Sequence, residues 1–454
     1  MEKVNNNRYS YIRALACVGI VFLHMIYGAV TIYGNAAAEL PRNISWIVVN
    51  NLYWAVPCFV MVTGALLLDP SRELTYKKLF SKYIFRVAAA LLIFTVLYRV
   101  YDILMNGEEF TAAGFFKGFA NFFTGGSWSH LWYLYMLIGL YLLMPFFKKI
   151  TEHITVKELG YFLLLAVVFL SLVPILKLWN IGIGFGIPIA SIYPFYLFCG
   201  YAISRQEVKI SKWVAVVCLV LSTAALVVLT LLRWQNPETL QNLEMFFNYS
   251  SIIVILQAVS VFYLFAKKLP KKEAVVVEEP AVVEEAVVVE EPVAEEQPTA
   301  EEEVVTEEEP TVVEEAAPVE ESVEEKLAEE ETTPAMEETT VEETVTEVEE
   351  TTEEVSETVT EETPTVEAAA MTVEEKTEPE KKENWFTKLV LSFDGCTFGV
   401  YLVHMFLARY VLRYMGLNPY DNIPAFIGLI LATIVVSYVV VWLLRKIPKV
   451  DKVL

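Results

Sequence analysis

"RALACVGIVFLHMIYGAVTIY", residues 13–33, opens with an arginine, carries a histidine at position 24 and is otherwise dominated by apolar residues. A helix of about 20 such residues spans a ~30 Å hydrocarbon core. The run is longer than the ~7–15-residue core of a secretory signal, so an uncleaved first span is expected, although Ala36–Ala38 offer a small-residue cleavage site. From Arg13 to His24 is 11 steps, a helical rise of ~16 Å and a rotation within ~20° of whole turns, so both side chains share one face. Arg13 then stands at the membrane boundary and His24 near mid-membrane, where ionisable groups are costly and usually face a bundle interior or a water-filled cavity.

The same reading extends along the chain. Apolar runs of spanning length occur near 14–34, 44–68, 87–105, 131–147, 159–176, 187–203, 213–232, 246–266, 389–414 and 424–444, which predicts an all-α integral membrane protein with a bundle of about ten transmembrane helices. Basic residues mark alternate connections: Arg8 and Arg13, Arg72 to Arg86, Lys148 to Lys157, Arg205 to Lys212, Lys267 to Lys272, and Arg445 to Lys452. The positive-inside rule places these in the cytoplasm, with both termini there. Pro188 and Pro194 predict a kinked or broken sixth span, and irregular backbone at membrane depth usually lines a cavity.

The formal net charge of −23 belongs to one segment. Between Lys271 and Asn384 lie 42 of the 57 acidic residues and 6 of the 34 basic ones, so this stretch carries −36 and the remainder +13. Residues 273–380 repeat a Val/Thr-Glu-Glu pattern with scattered proline and no glycine or aromatic residue. Such a composition cannot bury enough apolar surface to offset chain entropy. The expected organisation is therefore a membrane core over 1–270, a disordered Glu/Val/Thr-rich cytoplasmic insertion over 271–384 and the rest of the core over 385–454. The five cysteines lie in or beside apolar runs with neither disulfide nor metal-ligand spacing. Phosphate-loop and dinucleotide motifs are absent, and the basic residues follow membrane topology, so ATP, metal and nucleic-acid chemistry have no support.

Five segments in order carry a resemblance. An arginine, ten residues and a histidine in the first span, "FVMVTGALLL" (59–68), "HLWYLYMLIGLYLLMPFFKK" (130–149), "YPFYLFCGYAI" (193–203) and "FGVYLVHMFL" (398–407) resemble the pattern of acyltransferase family 3, the membrane proteins that include bacterial O-acetyltransferases of surface polysaccharides. The family often has an acidic residue three positions before the arginine, where this chain has Ser10. The family's arginine pair after the second span is represented only by "KKLFSKYIFR", with Lys82 and Arg86 at the corresponding place.

The resemblance implies a multi-pass protein of the bacterial plasma membrane that takes an acyl group from cytoplasmic acyl-CoA, acetyl-CoA first among candidates. The acceptor implied is a hydroxyl of a cell-surface glycan or its lipid-linked precursor. His24 is then the catalytic base, because imidazole titrates in the working range. Arg13, with Lys82 and Arg86, would meet the donor's phosphates. His404 would position the acceptor or orient His24. Read from the residues themselves, His130, where an outer loop enters the fourth span, is placed to stack against a sugar acceptor with Trp128 and Trp132 beside it, and Tyr133 is a substrate-binding candidate whose hydroxyl could take the acyl group transiently. Read without the resemblance, Arg13 also fits a positive-inside anchor, His24 and His404 fit packing histidines, and Trp132 fits an interfacial belt. A transporter or flippase that moves a polysaccharide precursor or small solute without acyl transfer would also account for the spans, the broken helix and the buried ionisable residues.

Overall fold

The computed structural model describes residues 7–187, 191–205, 210–235, 241–265 and 384–454. Every regular element among them is helical. In chain order these are α1 (Asn7–Tyr33), α2 (Glu39–Asn50), α3 (Ala55–Leu67), α4 (Tyr76–Asn106), α5 (Ala112–Thr124), α6 (Trp132–His153), α7 (Val156–Trp179), α8 (Tyr193–Ser204), α9 (Lys212–Gln235), α10 (Ile252–Phe265), α11 (Trp385–Tyr414) and α12 (Ile423–Leu444). Among the described residues eight helical stretches are long and apolar enough to cross a membrane, with α2–α3 and α5–α6 each forming one continuous stretch. The expected disordered insertion lies outside the described residues except at Asn384, whose side chain caps α11 by accepting from the Thr387 amide at 2.7 Å.

Local sequence sets the helix boundaries. Thr155 and Glu158 form a reciprocal capping box at the start of α7. Gly107 and Gly125 end α4 and α5 in the left-handed conformation, at φ of 67° and 70°, where a side chain would be strained.

Among the described residues, two of the ten expected spans are shorter than predicted. The sixth is the 12-residue α8 and the eighth the 14-residue α10, against a requirement of about 20 residues. Pro194 does not kink α8. It lies in the first turn, where its missing N–H has no helical partner to lose, and Pro188 falls outside the described residues. Length is not what keeps α8 in place: every residue from Phe195 to Ser204 is buried, so the helix is enclosed by protein all round.

The partner that encloses α8 most closely is α3. A Cβ added to Gly64 would strike the Leu197 carbonyl, and one added to Gly200 would strike the Met61 carbonyl. The two backbones cross at these reciprocal glycines, as small residues allow in helix packing inside membranes. Gly64 of "FVMVTGALLL" and Gly200 of "YPFYLFCGYAI", in separate segments of the sequence, are two sides of one interface.

Among the described residues, several of the segments whose basic residues alternate along the chain meet at one end of the bundle. Lys148 donates to the Asp69 carbonyl, Arg205 pairs with the Asp69 carboxylate at 3.3 Å, and Arg445 donates to the Gly395 carbonyl. At the opposite end Arg409 pairs with Asp102 at 3.3 Å, Tyr414 donates to the Asn106 side chain at 3.0 Å, and Tyr420 meets Ser45 at 3.1 Å.

Gly64→Ala and Gly200→Ala are each expected to destabilise the protein by roughly 1–3 kcal/mol, because a methyl must push two backbones apart. Gly160→Ala, whose Cβ would meet nothing within 4 Å, is the control and should leave thermal unfolding in detergent unchanged or raise its midpoint slightly.

Candidate functional site

Helices α1 and α11 run side by side in the same direction, tied at both ends and in the middle. Arg13 donates from Nε and Nη2 to the two carboxylate oxygens of Asp394, both at 2.6 Å. The Cys17 thiol faces the Thr397 carbonyl, His24 meets His404, and the Tyr33 hydroxyl donates to the Leu412 carbonyl at 2.6 Å. Across these rungs the sequence separation stays between 379 and 381, the mark of a parallel pair in register. Asp394 and His404 stand ten residues apart on α11, one fewer than Arg13 and His24 on α1, and each still meets its partner across the helix pair. Asp394 is not among the candidates the sequence singles out, although an acidic residue in an apolar run is itself a signal of an internal partner.

Around this pair a cavity of about 400 Å³ opens at the basic end of the bundle. Arg13, Arg72, Lys82 and Arg86 contribute to its wall, and Tyr133 and Tyr401 to its lining from α6 and α11. Arg13 enters that wall as half of the ion pair with Asp394. Arg86 donates to the backbone oxygens of Val453 and Leu454. Arg72 donates to the Leu66 carbonyl and the Tyr83 hydroxyl, both at 3.0 Å, and has no carboxylate partner among the described residues. Lys82 is exposed and likewise has none among them. In the sequence Arg72 marks only topology, because basic residues of one connection look alike whether or not they border a cavity.

Beside Tyr401 lies a cluster of three histidines. The ring centres of His24, His130 and His404 are 5.1 to 6.0 Å apart, and Tyr401 sits 5.7 Å from His130 and 6.1 Å from His404. His24 is half-buried, whereas His404 and His130 are buried. His24 Nδ1 and His404 Nε2 are 2.8 Å apart, and His404 Nδ1 is 3.0 Å from the Val400 carbonyl.

His130 departs from expectation. The sequence puts it in an outer loop, available to stack on an acceptor, yet only 3% of its surface is exposed. Its Nε2 meets the Tyr98 hydroxyl at 3.1 Å, Tyr98 in turn donates to the Leu402 carbonyl, and the Tyr401 hydroxyl donates to the His130 carbonyl. A short 3₁₀ turn, Ser129–Leu131, folds the histidine inward ahead of α6. Trp128 takes the more superficial place, stacked on Tyr98 at 4.1 Å and hydrogen-bonded to Asp102 at 2.9 Å.

Trp132 and Tyr133 are neighbours in sequence that serve different surroundings. Tyr133 lies 5.7 Å from Tyr401 on the cavity side. Trp132 is 36% exposed and packs between Tyr193 and Tyr249, at 5.8 and 5.6 Å. Those two tyrosines line a second cavity of about 450 Å³ with Ser191, Asn248, Ser250 and Ser251.

A double-mutant cycle on Arg13→Ala and Asp394→Ala measures whether the two helices are tied as the geometry indicates. Each single change should lower stability, and the pair should be coupled by roughly 0.5–3 kcal/mol, as residues in one ion-pair network are. Purely additive effects on unfolding would show that the contact contributes no net stabilisation.

A family model described as an acyltransferase domain matches residues 6–277, more than half of the chain. No curated protein and no solved structure matches it. The match covers the segments that bring Arg13, His24, Arg72, Lys82, Arg86, His130 and Tyr133 to the site, while Asp394, Tyr401 and His404 lie beyond it on α11.

Proposed function

The chain belongs to acyltransferase family 3, and on that premise we propose an integral O-acyltransferase of the bacterial plasma membrane. It moves an acyl group, acetyl first among candidates, from cytoplasmic acyl-CoA to a hydroxyl of a cell-surface glycan or its lipid-linked precursor. The observation that carries this reading is the cavity whose wall combines Arg13, Arg72, Lys82 and Arg86 with Tyr401, beside which the histidines lie.

The chemistry follows from that gradient of polarity. Phosphates of the donor need cations, and Arg72 and Lys82, without carboxylate partners among the described residues, are the groups suited to meet them. Arg13, already neutralised by Asp394, contributes chiefly by holding α1 against α11. Beyond the cations the lining turns apolar and aromatic, with Phe59, Leu137 and Phe398, which suits the pantetheine arm and excludes competing water. His24 is the base. The acceptor oxygen attacks the thioester carbonyl, its proton passes to His24, the carbon–sulfur bond breaks, and the proton leaves with the CoA thiol. Trp132, Tyr193 and Tyr249, beside the second cavity and its serines, offer aromatic faces and hydroxyls for a sugar acceptor arriving from the opposite end.

Purified protein in proteoliposomes with radiolabelled acetyl-CoA and extracted surface glycan tests the reading. Label should move to the glycan, and His24→Ala should lower kcat by roughly 10²–10⁴-fold, the usual contribution of a positioned base. Arg72→Ala and Lys82→Ala should raise KM for acyl-CoA with little change in kcat, as loss of uniform binding does. A folded wild type that consumes none of the acyl-CoA donors offered would overturn it.

A further inference from the structure

The hydrogen bonds around the three histidines determine where each ring carries its proton. The Val400 carbonyl can only accept, so His404 Nδ1 holds a hydrogen and donates to it at 3.0 Å. A second proton on His404 would place an imidazolium against two other imidazoles at membrane depth, a costly arrangement. Neutral His404 therefore presents a lone pair at Nε2, and His24 Nδ1, 2.8 Å away, must be the donor. The two ring planes are within 16° of each other with centres 5.1 Å apart, so this bond runs edge to edge in a nearly common plane. His24 is left with a lone pair at Nε2. On the other side of the cluster, Tyr98 gives its only hydrogen to the Leu402 carbonyl, so its oxygen accepts from His130 Nε2. His130 Nδ1 is then a lone pair, buried and without a partner among the described residues.

We infer that His404 is a positioning residue that fixes His24 as the Nδ1–H tautomer, leaving His24 Nε2 as the proton acceptor. Among the described residues the cluster leaves two lone pairs without a partner, at His24 Nε2 and at the buried His130 Nδ1, and its own hydrogens are all engaged. Such a site takes a ligand that donates hydrogen bonds, a hydroxyl, in preference to a carboxylate or a carbonyl. When the proton of an attacking hydroxyl reaches His24 Nε2, the Nδ1–H bond to His404 stays in place and helps to hold the imidazolium until the departing thiolate takes the proton. That last step rests on the acyl-transfer reading, whereas the proton arrangement is a property of the folded chain alone.

The chain contains four histidines, and three of them form the cluster. Full-length protein labelled with ¹⁵N-histidine, in lipid, resolves the tautomers by NMR, because protonated and unprotonated ring nitrogens differ widely in shift. The fourth, His153 at the end of α6, is exposed and serves as the solvent reference. The expected spectrum has His24 and His404 protonated at Nδ1 and His130 at Nε2. His404→Phe should release His24 to a mixture of tautomers and lower kcat at least tenfold with KM for acyl-CoA unchanged. His404→Gln, whose carbonyl oxygen can accept from His24, should recover part of both. Tyr98→Phe should shift only His130. A wild type with the His24 proton on Nε2, or a folded His404→Phe protein with unchanged His24 tautomer and kcat, would overturn the inference. Tautomers as assigned in a protein that consumes no acyl-CoA would support the arrangement and remove the acyl-transfer reading instead.

Discussion

The parallel contact between α1 and α11 is the constraint on which the rest of the site depends. Two helices separated by most of the chain lie in register, with an ion pair near their starts and a histidine pair further along. Each rung pairs groups that would be expensive alone at that depth: a guanidinium beside a carboxylate, and two imidazoles that supply each other with donor and acceptor. Displacing α11 by one residue would rotate both Asp394 and His404 off the shared face by about 100°. The register is therefore set by polar groups, because lipid-like apolar contacts alone discriminate poorly between one alignment and the next.

The crossing of α3 and α8 provides the other rigid element. Backbone contact at Gly64 and Gly200 brings α8, the most completely enclosed helix, into the centre of the bundle. Its aromatic start then reaches Trp132 and Tyr249 at one end, while Arg205 at its close reaches Asp69 at the other. A 12-residue helix is too short to face lipid on both sides of a bilayer, but it can serve inside protein, where neighbouring helices shield its ends.

Physically the site is a gradient. Cations border the cavity at one end of the bundle, apolar and aromatic side chains follow, and the histidines lie beside Tyr401. Low dielectric at that depth strengthens every hydrogen bond between the rings and makes an unpaired one costly. The hydrogen bonds of His404 and Tyr98 to backbone carbonyls thus decide the chemistry of neighbouring rings as much as their own orientation.

Much of this was legible in the residues. Apolar runs of spanning length made a membrane bundle unavoidable, since a segment such as 13–33 has no other way to satisfy its backbone in lipid, and the Arg13 to His24 spacing put both on one face by helical geometry alone. Those inferences depend on near-neighbour periodicity, which a sequence carries explicitly. What only the tertiary structure decided is which faces meet. It showed that Asp394 occupies Arg13, that Arg72 borders the same cavity as Lys82, and that His130 turns inward to join His24 and His404 instead of waiting at the surface. It also turned two short apolar runs from expected spans into the enclosed α8 and the short α10. The pairing of Asp394 with Arg13 and of His130 with His24 and His404 joins segments far apart in the chain, chosen by helix packing and by the cost of leaving a buried polar group alone, and no local pattern records that choice.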